Sequence, residues 1–224
     1  MKKILFLYMI SCFPPVIAQE NVLLETFEEK NIYWRLADWG DGADIGRNHE
    51  EKTEGETSLE IHFDAEHTDR GKGLVLERDL TALPVEFDRI IVDVWSGVGD
   101  EKISLALAID TDQYYESQSI ALRSGWNRNI SFDLNQSNYK SASTQWNYNS
   151  SVRRDQLAKK IMLLFYKSGV QEATILIDHV RLQKTADPCA ACPGRKPRSR
   201  IESEPRNHPL PRELPLEIFL RRTS

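Results

Sequence analysis

Asp178 is the residue whose type and place most need a chemical explanation. It lies in Ile175-Leu176-Ile177-Asp178-His179-Val180-Arg181-Leu182, the most apolar strand-like run of the chain, on the parity of Leu176, Val180 and Leu182. A carboxylate there is costly unless a cation or hydrogen-bond donors hold it. Other reactive types are scattered. The five histidines (49, 62, 67, 179 and 208) show neither HxH nor HExxH spacing, and His62 and His179 fall on strand patterns that suit structural histidines. Cys189-Ala-Ala-Cys192 is a single CxxC with His208 alone nearby. Zinc takes four ligands, and a redox pair opens a helix in an α/β fold, so a local disulfide or an inert pair is expected. Gly-x-Ser-x-Gly, P-loop and dinucleotide fingerprints are absent. Glycoside hydrolysis needs only two placed carboxylates, but among 34 acidic residues no pair stands out. No catalytic residue is nominated, and the chain is expected not to be an enzyme.

Strands must position these groups, because the apolar period is 2. Ile103, Leu105, Leu107 and Ile109 alternate with Ser104, Ala106, Ala108 and Asp110, and Leu59, Ile61 and Phe63 alternate with Ser58, Glu60 and His62. That alternation marks half-buried strands. Segments 89–96, 126–134, 160–166 and 173–182 are rich in β-branched and aromatic residues, and 22–28, 74–80 and 114–122 add weaker strands. Only 151–160, with Arg153, Arg154, Lys159 and Lys160, reads as a short solvated helix. About nine strands with almost no helix predict an all-β fold, an antiparallel β-sandwich or barrel.

The 224 residues carry 29 Lys+Arg against 34 Asp+Glu, a net charge of −5 that argues against a nucleic-acid partner. Lys2-Lys3, the apolar run 4–10 and Ala18 read as an export signal over 1–18, cut before Gln19. Met9-Ile10-Ser11-Cys12 also resembles a bacterial lipobox, which would put a lipid on Cys12. The expectation is a secreted bacterial protein, or alternatively a lipoprotein at the outer surface or periplasm, with no other membrane contact. Seven of ten prolines lie in 186–224. That Pro/Arg-rich stretch reads as a disordered tail, leaving 20–185 as the folded unit.

Four motifs, in order, carry a family resemblance: Leu24-x-x-Phe27-Glu28, Glu54-Gly55-x-x-Ser58-Leu59, Gly125-Trp126-Asn127 with Phe132-Asp133-Leu134, and Ile175-x-Ile177-Asp178-His179-Val180-Arg181-Leu182. Residues 20–185 resemble the galactose-binding-like jelly-roll carbohydrate-binding modules found at the N-terminus of secreted bacterial glycoside hydrolases. The resemblance implies a jelly-roll β-sandwich that binds a polysaccharide or oligosaccharide without catalysis, as a monomer. A cell-surface interaction domain without a sugar site, or the front part of a longer hydrolase, are the alternatives. It also implies a structural calcium held by Glu28 and Asp178, with backbone oxygens of about 53–57 completing the shell. Hard oxygen ligands are what calcium takes.

A pyranose presents an apolar C–H face, so its partner is an exposed aromatic plane flanked by hydrogen-bonding groups. Three polar loops carry such rings: Trp39 in Asp38-Trp39-Gly40-Asp41-Gly42, Tyr114 and Tyr115 after Asp112, and Trp146 and Tyr148 in a run of small polar residues. Function concentrates on loops held by a rigid scaffold. A shallow site is therefore expected from Trp39, Tyr114, Tyr115, Trp146 and Tyr148. Asp112, Gln145, Asn147 and Arg153 would supply hydrogen bonds. Trp95 and Trp126 read as core, and Trp34 is ambiguous.

Overall fold

The computed structural model describes residues 19–63, 73–84, 87–99, 101–109, 113–153, 157–166 and 172–185. The export signal with Cys12, the tail with Cys189 and Cys192, and Asp112 lie outside the described residues. In chain order the first seven strands are β1 (Gln19–Glu25), β2 (Arg35–Leu36), β3 (Asp44–Asn48), β4 (Ser58–Phe63), β5 (Leu74–Pro84), β6 (Arg89–Ser96) and β7 (Lys102–Ile109). The remaining six are β8 (Gln113–Ser117), β9 (Ile120–Ala121), β10 (Gly125–Asp133), β11 (Tyr139–Lys140), β12 (Leu157–Tyr166) and β13 (Ala173–Thr185).

They form two antiparallel sheets. The first runs β10-β6-β13-β4-β3, with β1 also on β13, and the second runs β11-β8-β7-β12-β5-β2, with β9 also on β7. Strands β4 and β1 lie end to end along one edge of β13, pairing with Ala173–Ile177 and Val180–Thr185 respectively. The alternation read from the sequence decides the packing. Ile90, Val92 and Val94 of the first sheet meet Ile103, Leu105, Leu107, Ile161, Leu163 and Phe165 of the second in one buried cluster. The result is the expected jelly-roll β-sandwich.

Four readings change. Residues 151–153 are irregular, and 157–160, expected as the end of a helix, instead extend the expected strand 160–166 into Leu157–Tyr166. Pairing on both edges, with β5 and β7, overrides the solvated look of the lysines, and a register shift between Ala158 and Lys160 absorbs Lys159. The only helical turn among the described residues is the 3-10 turn Ala142–Thr144. Segment 114–122 breaks into β8 and β9. Trp34 is core, whereas Trp95 and Trp126 pair across strands on the outer face of the first sheet, half-buried. There the Trp126 indole N–H donates to Glu51 (3.2 Å).

A buried ion pair ties the sheets together. Arg78 of β5 donates to Glu25 at the end of β1 (2.7 Å), with side chains only 17% and 6% exposed. The same guanidinium donates to the Leu24 carbonyl and lies under the Tyr33 ring. Glu25 in turn accepts the Phe27 N–H (3.0 Å). Removing one partner strands the other charge, which costs far more than removing both. Arg78→Ala should therefore lower unfolding free energy by about 3 kcal/mol in urea titrations. The double variant Arg78→Met/Glu25→Leu should recover most of that loss.

Candidate functional site

The clasp around Asp178 is built from a strand irregularity. Between Asp178 and Arg181 the register of β13 against β6 shifts, and His179 takes a positive φ of 49°. This bulge breaks the parity read from the sequence. Val180 and Leu182 join Ile175 and Ile177 in the core, while Asp178 stays on the outer side, fully buried beneath segment 48–57. There Thr53 N–H, Thr53 O–H and Glu54 N–H all donate to Asp178 Oδ2, at 2.7, 2.9 and 3.1 Å. His179 N–H donates to Oδ1 at 2.7 Å. Glu28 does the same at the other end of the segment, accepting Glu56 N–H and Thr57 N–H at 2.8 and 2.9 Å. Gly55, at φ 65°, sits so close that a Cβ there would come within 2.3 Å of Glu28 Oε1.

This donor set does not fit a calcium ion. Both oxygens of Asp178 and one of Glu28 face hydrogens, which repel a cation. Among the described residues no three acidic, histidine or cysteine side chains gather as a metal group. Calcium takes six to eight oxygens, whereas hydrogen bonds already satisfy the buried charge here.

The outer face of the second sheet holds the aromatic residues. Its floor is Ala37, Val75, Ala106, Met162 and Leu164, with Ala108, Tyr114 and Tyr166 packed against it. Two buried carboxylates stand in this face. Glu116 of β8 accepts hydrogen bonds from Tyr166 (2.8 Å), Tyr114 (3.2 Å) and Lys140 (2.8 Å). Glu77 of β5 pairs with Arg35 and Lys160, both at 2.8 Å. Burial first, and then the Glu116 charge and hydrogen bond, raise Tyr114 and Tyr166 well above an ordinary phenol, so both remain neutral donors.

Loop 141–149 flanks this face and is closed at its base. Tyr139 and Ser150 exchange backbone hydrogen bonds at 2.9 and 3.0 Å. Thr144 O–H donates to the Ser141 and Asn147 carbonyls, and the Asn147 amide donates to the Thr144 carbonyl. Gln145 and Trp146 take left-handed φ values of 52° and 63°, and the Trp146 ring is exposed. That ring leans on Tyr114 with centroids 6.0 Å apart, and Lys140 Nζ lies 5.3 Å from the Tyr148 ring centre. Trp146 and Tyr148 remain 55% and 39% exposed.

The expected site is thus partly assembled. Tyr114, Trp146 and Tyr148 converge, and Gln145 is exposed in the same loop. Tyr115 does not join them: it is buried on the core side, because consecutive strand residues point to opposite faces. The Asn147 amide is committed to its own loop, and Arg153, exposed and past the loop's end in the chain, has an interaction of its own. Trp39 stands in the turn that hydrogen-bonds Val75 and Gly73, at the far β5 edge of the sheet. Sequence reasoning missed Tyr166, Glu116, Lys140 and Glu77. Their signal was present in the parity of Lys160, Met162, Leu164 and Tyr166, opposite the small residues Ser104, Ala106 and Ala108.

No protein-family model matches the sequence, and a comparison with curated proteins finds no match. Solved structures do match, and they define the class of fold. One is the family 11 carbohydrate-binding module of the cellulosomal cellulase Lic26A-Cel5E of Clostridium thermocellum, with a TM-score of 0.51 over 75% of this chain and 96% of the other. Another is the family 11 module from the same organism in complex with a β-1,3-1,4-mixed-linked tetrasaccharide, with a TM-score of 0.52 over 75% and 97%. Identity is 14% in both, so the likeness is one of fold.

Two measurements check the clasp. Gly55→Ala pushes the Glu28 carboxylate away and forces a left-handed alanine, so it should destabilise by about 2 kcal/mol. Thermal melting with and without EDTA should give the same midpoint. A midpoint that falls with chelator, with one calcium per chain by metal analysis, would instead restore the ion expected from the sequence.

Proposed function

We propose that this chain is a non-catalytic glycan-binding module whose site is the outer face of the second sheet at Tyr114, Trp146, Tyr148 and Tyr166. The observation that carries this reading is the pair of exposed rings, Trp146 and Tyr148, held beside the Glu116–Lys140–Tyr166 network. Exposed aromatic planes receive the C–H face of a pyranose, and Lys140, Gln145 and the Tyr166 hydroxyl lie beside them as hydroxyl partners. The carboxylates Glu77, Asp79 and Glu116 balance Arg35, Lys140 and Lys160 in number, which suits a neutral polysaccharide. Support also comes from the family 11 fold, one member of which was solved with a β-1,3-1,4-mixed-linked tetrasaccharide. The site is shallow, so affinity is weak.

Affinity electrophoresis in gels containing mixed-linked β-1,3-1,4-glucan and a panel of other neutral polysaccharides tests the reading. Retardation on at least one polymer is expected, abolished by Trp146→Ala and reduced severalfold by Tyr166→Ala. Trp39→Ala, at the far edge, should change it little. No retardation on any polymer would instead favour an interaction domain without a sugar site. Retardation that survives both Trp146→Ala and Tyr166→Ala would move the site off this face.

A further inference from the structure

A second concavity opens at one edge of the sandwich, away from the outer face of the second sheet. It has a volume of about 380 Å³ and lies between the end of β10, the start of β6 and the turns at 118–120 and 136–138. That volume falls within the range of small-molecule sites, about 300–1,000 Å³. Asp133 Oδ1 accepts the Asn135 N–H (3.0 Å), while its Oδ2 meets only a long approach from Arg89. Arg89 carries five N–H donors, yet its contact is one long approach to Asp133 (3.4 Å), with 43% of the side chain exposed. Asn138 reaches Gln136 at only 3.4 Å. The Gln118 backbone is fixed by its N–H to the Asn138 carbonyl (2.9 Å), and Gln118 is an exposed residue of the cavity lining. Ile120, 37% exposed, supplies an apolar wall.

Guanidinium, carboxylate and amide groups are planar and present paired donors or acceptors. Vicinal hydroxyls on a rigid ring match such pairs, and an aliphatic wall takes the ring's C–H edge. Arg89 and Asp133 cancel in charge, so the site disfavours a charged ligand. We infer that this edge cavity binds a single neutral pyranose through Arg89, Asp133, Gln118 and Asn138, independently of the aromatic face. Phe132, the aromatic residue of the lining, is buried and presents no exposed ring, so recognition depends on hydroxyl geometry rather than on chain length.

The test is an NMR titration of the isotope-labelled full chain with free neutral hexoses and pentoses, and with glycerol as an acyclic polyol. Saturable shifts of the Gln118 and Asn138 side-chain amides and of Arg89 Nε–H are expected with at least one pyranose and not with glycerol. Gln118→Ala should weaken that binding roughly fivefold, the loss of about one hydrogen bond, and leave polysaccharide retardation unchanged. Asp133→Asn should weaken it as well. The inference is overturned if no pyranose shifts these groups, if glycerol shifts them equally, or if the shifts survive both substitutions. It is also overturned if the shifts fall only on Tyr114, Trp146 and Tyr148. Each of those results leaves the aromatic-face reading to stand or fall on its own polysaccharide experiment.

Discussion

The buried carboxylate of Asp178 is the constraint on which much of this molecule depends. It sits in the central strand of one sheet with no exposed surface, and hydrogen-bond donors meet its charge. Three come from Thr53 and Glu54, more than 120 residues away in the chain, and one from the next residue. To present Oδ1 to its own neighbour the strand must bulge, and the bulge is what lets Val180 and Leu182 face the core. One hydrogen-bonded group thereby sets the course of the loop above it and the parity of the strand below it. Glu28 and Gly55 close the other end of that loop, where only a glycine leaves room for the carboxylate.

The same principle, used differently, shapes the second sheet. Glu116 and Glu77 are nearly buried on its outer face; Lys140 and the Tyr114 and Tyr166 hydroxyls meet Glu116, and Arg35 and Lys160 meet Glu77. These contacts fix Tyr114, Tyr166 and Lys140 in single orientations. A sheet with pairing on both edges of its central strands is stiffer than a loop, so these side chains stand on a rigid support. The loop that carries Trp146 and Tyr148 achieves comparable order through its closed base and its internal hydrogen bonds.

Much of the fold was legible in the sequence, and the reason is geometric. Side-chain direction in a strand alternates with period 2, so the apolar sets in 59–63, 90–94, 103–109 and 161–165 could face only one way once a core formed. Composition, charge and the four spaced motifs carried the sandwich class, and the aromatic loop at 146–148 declared itself by having no apolar neighbours. Residues 157–160 were misread because lysines on a paired strand look, in one dimension, like a solvated helix face.

What the sequence could not determine are the properties that depend on which strand lies beside which. Alternation says that Tyr114 and Tyr115 face opposite ways, but not which of them faces the core; the pairing of β8 with β7 decides that. Trp95 and Trp126 read as core because their strands are core strands, yet each takes the outer parity. Asp178 was recognisable as a charge needing compensation. The donors that reach it, the N–H groups of Thr53 and Glu54, come from a loop more than 120 residues distant. Local pattern encodes direction and burial; the partners of a buried charge are a property of chain crossings, and those exist only in the folded structure.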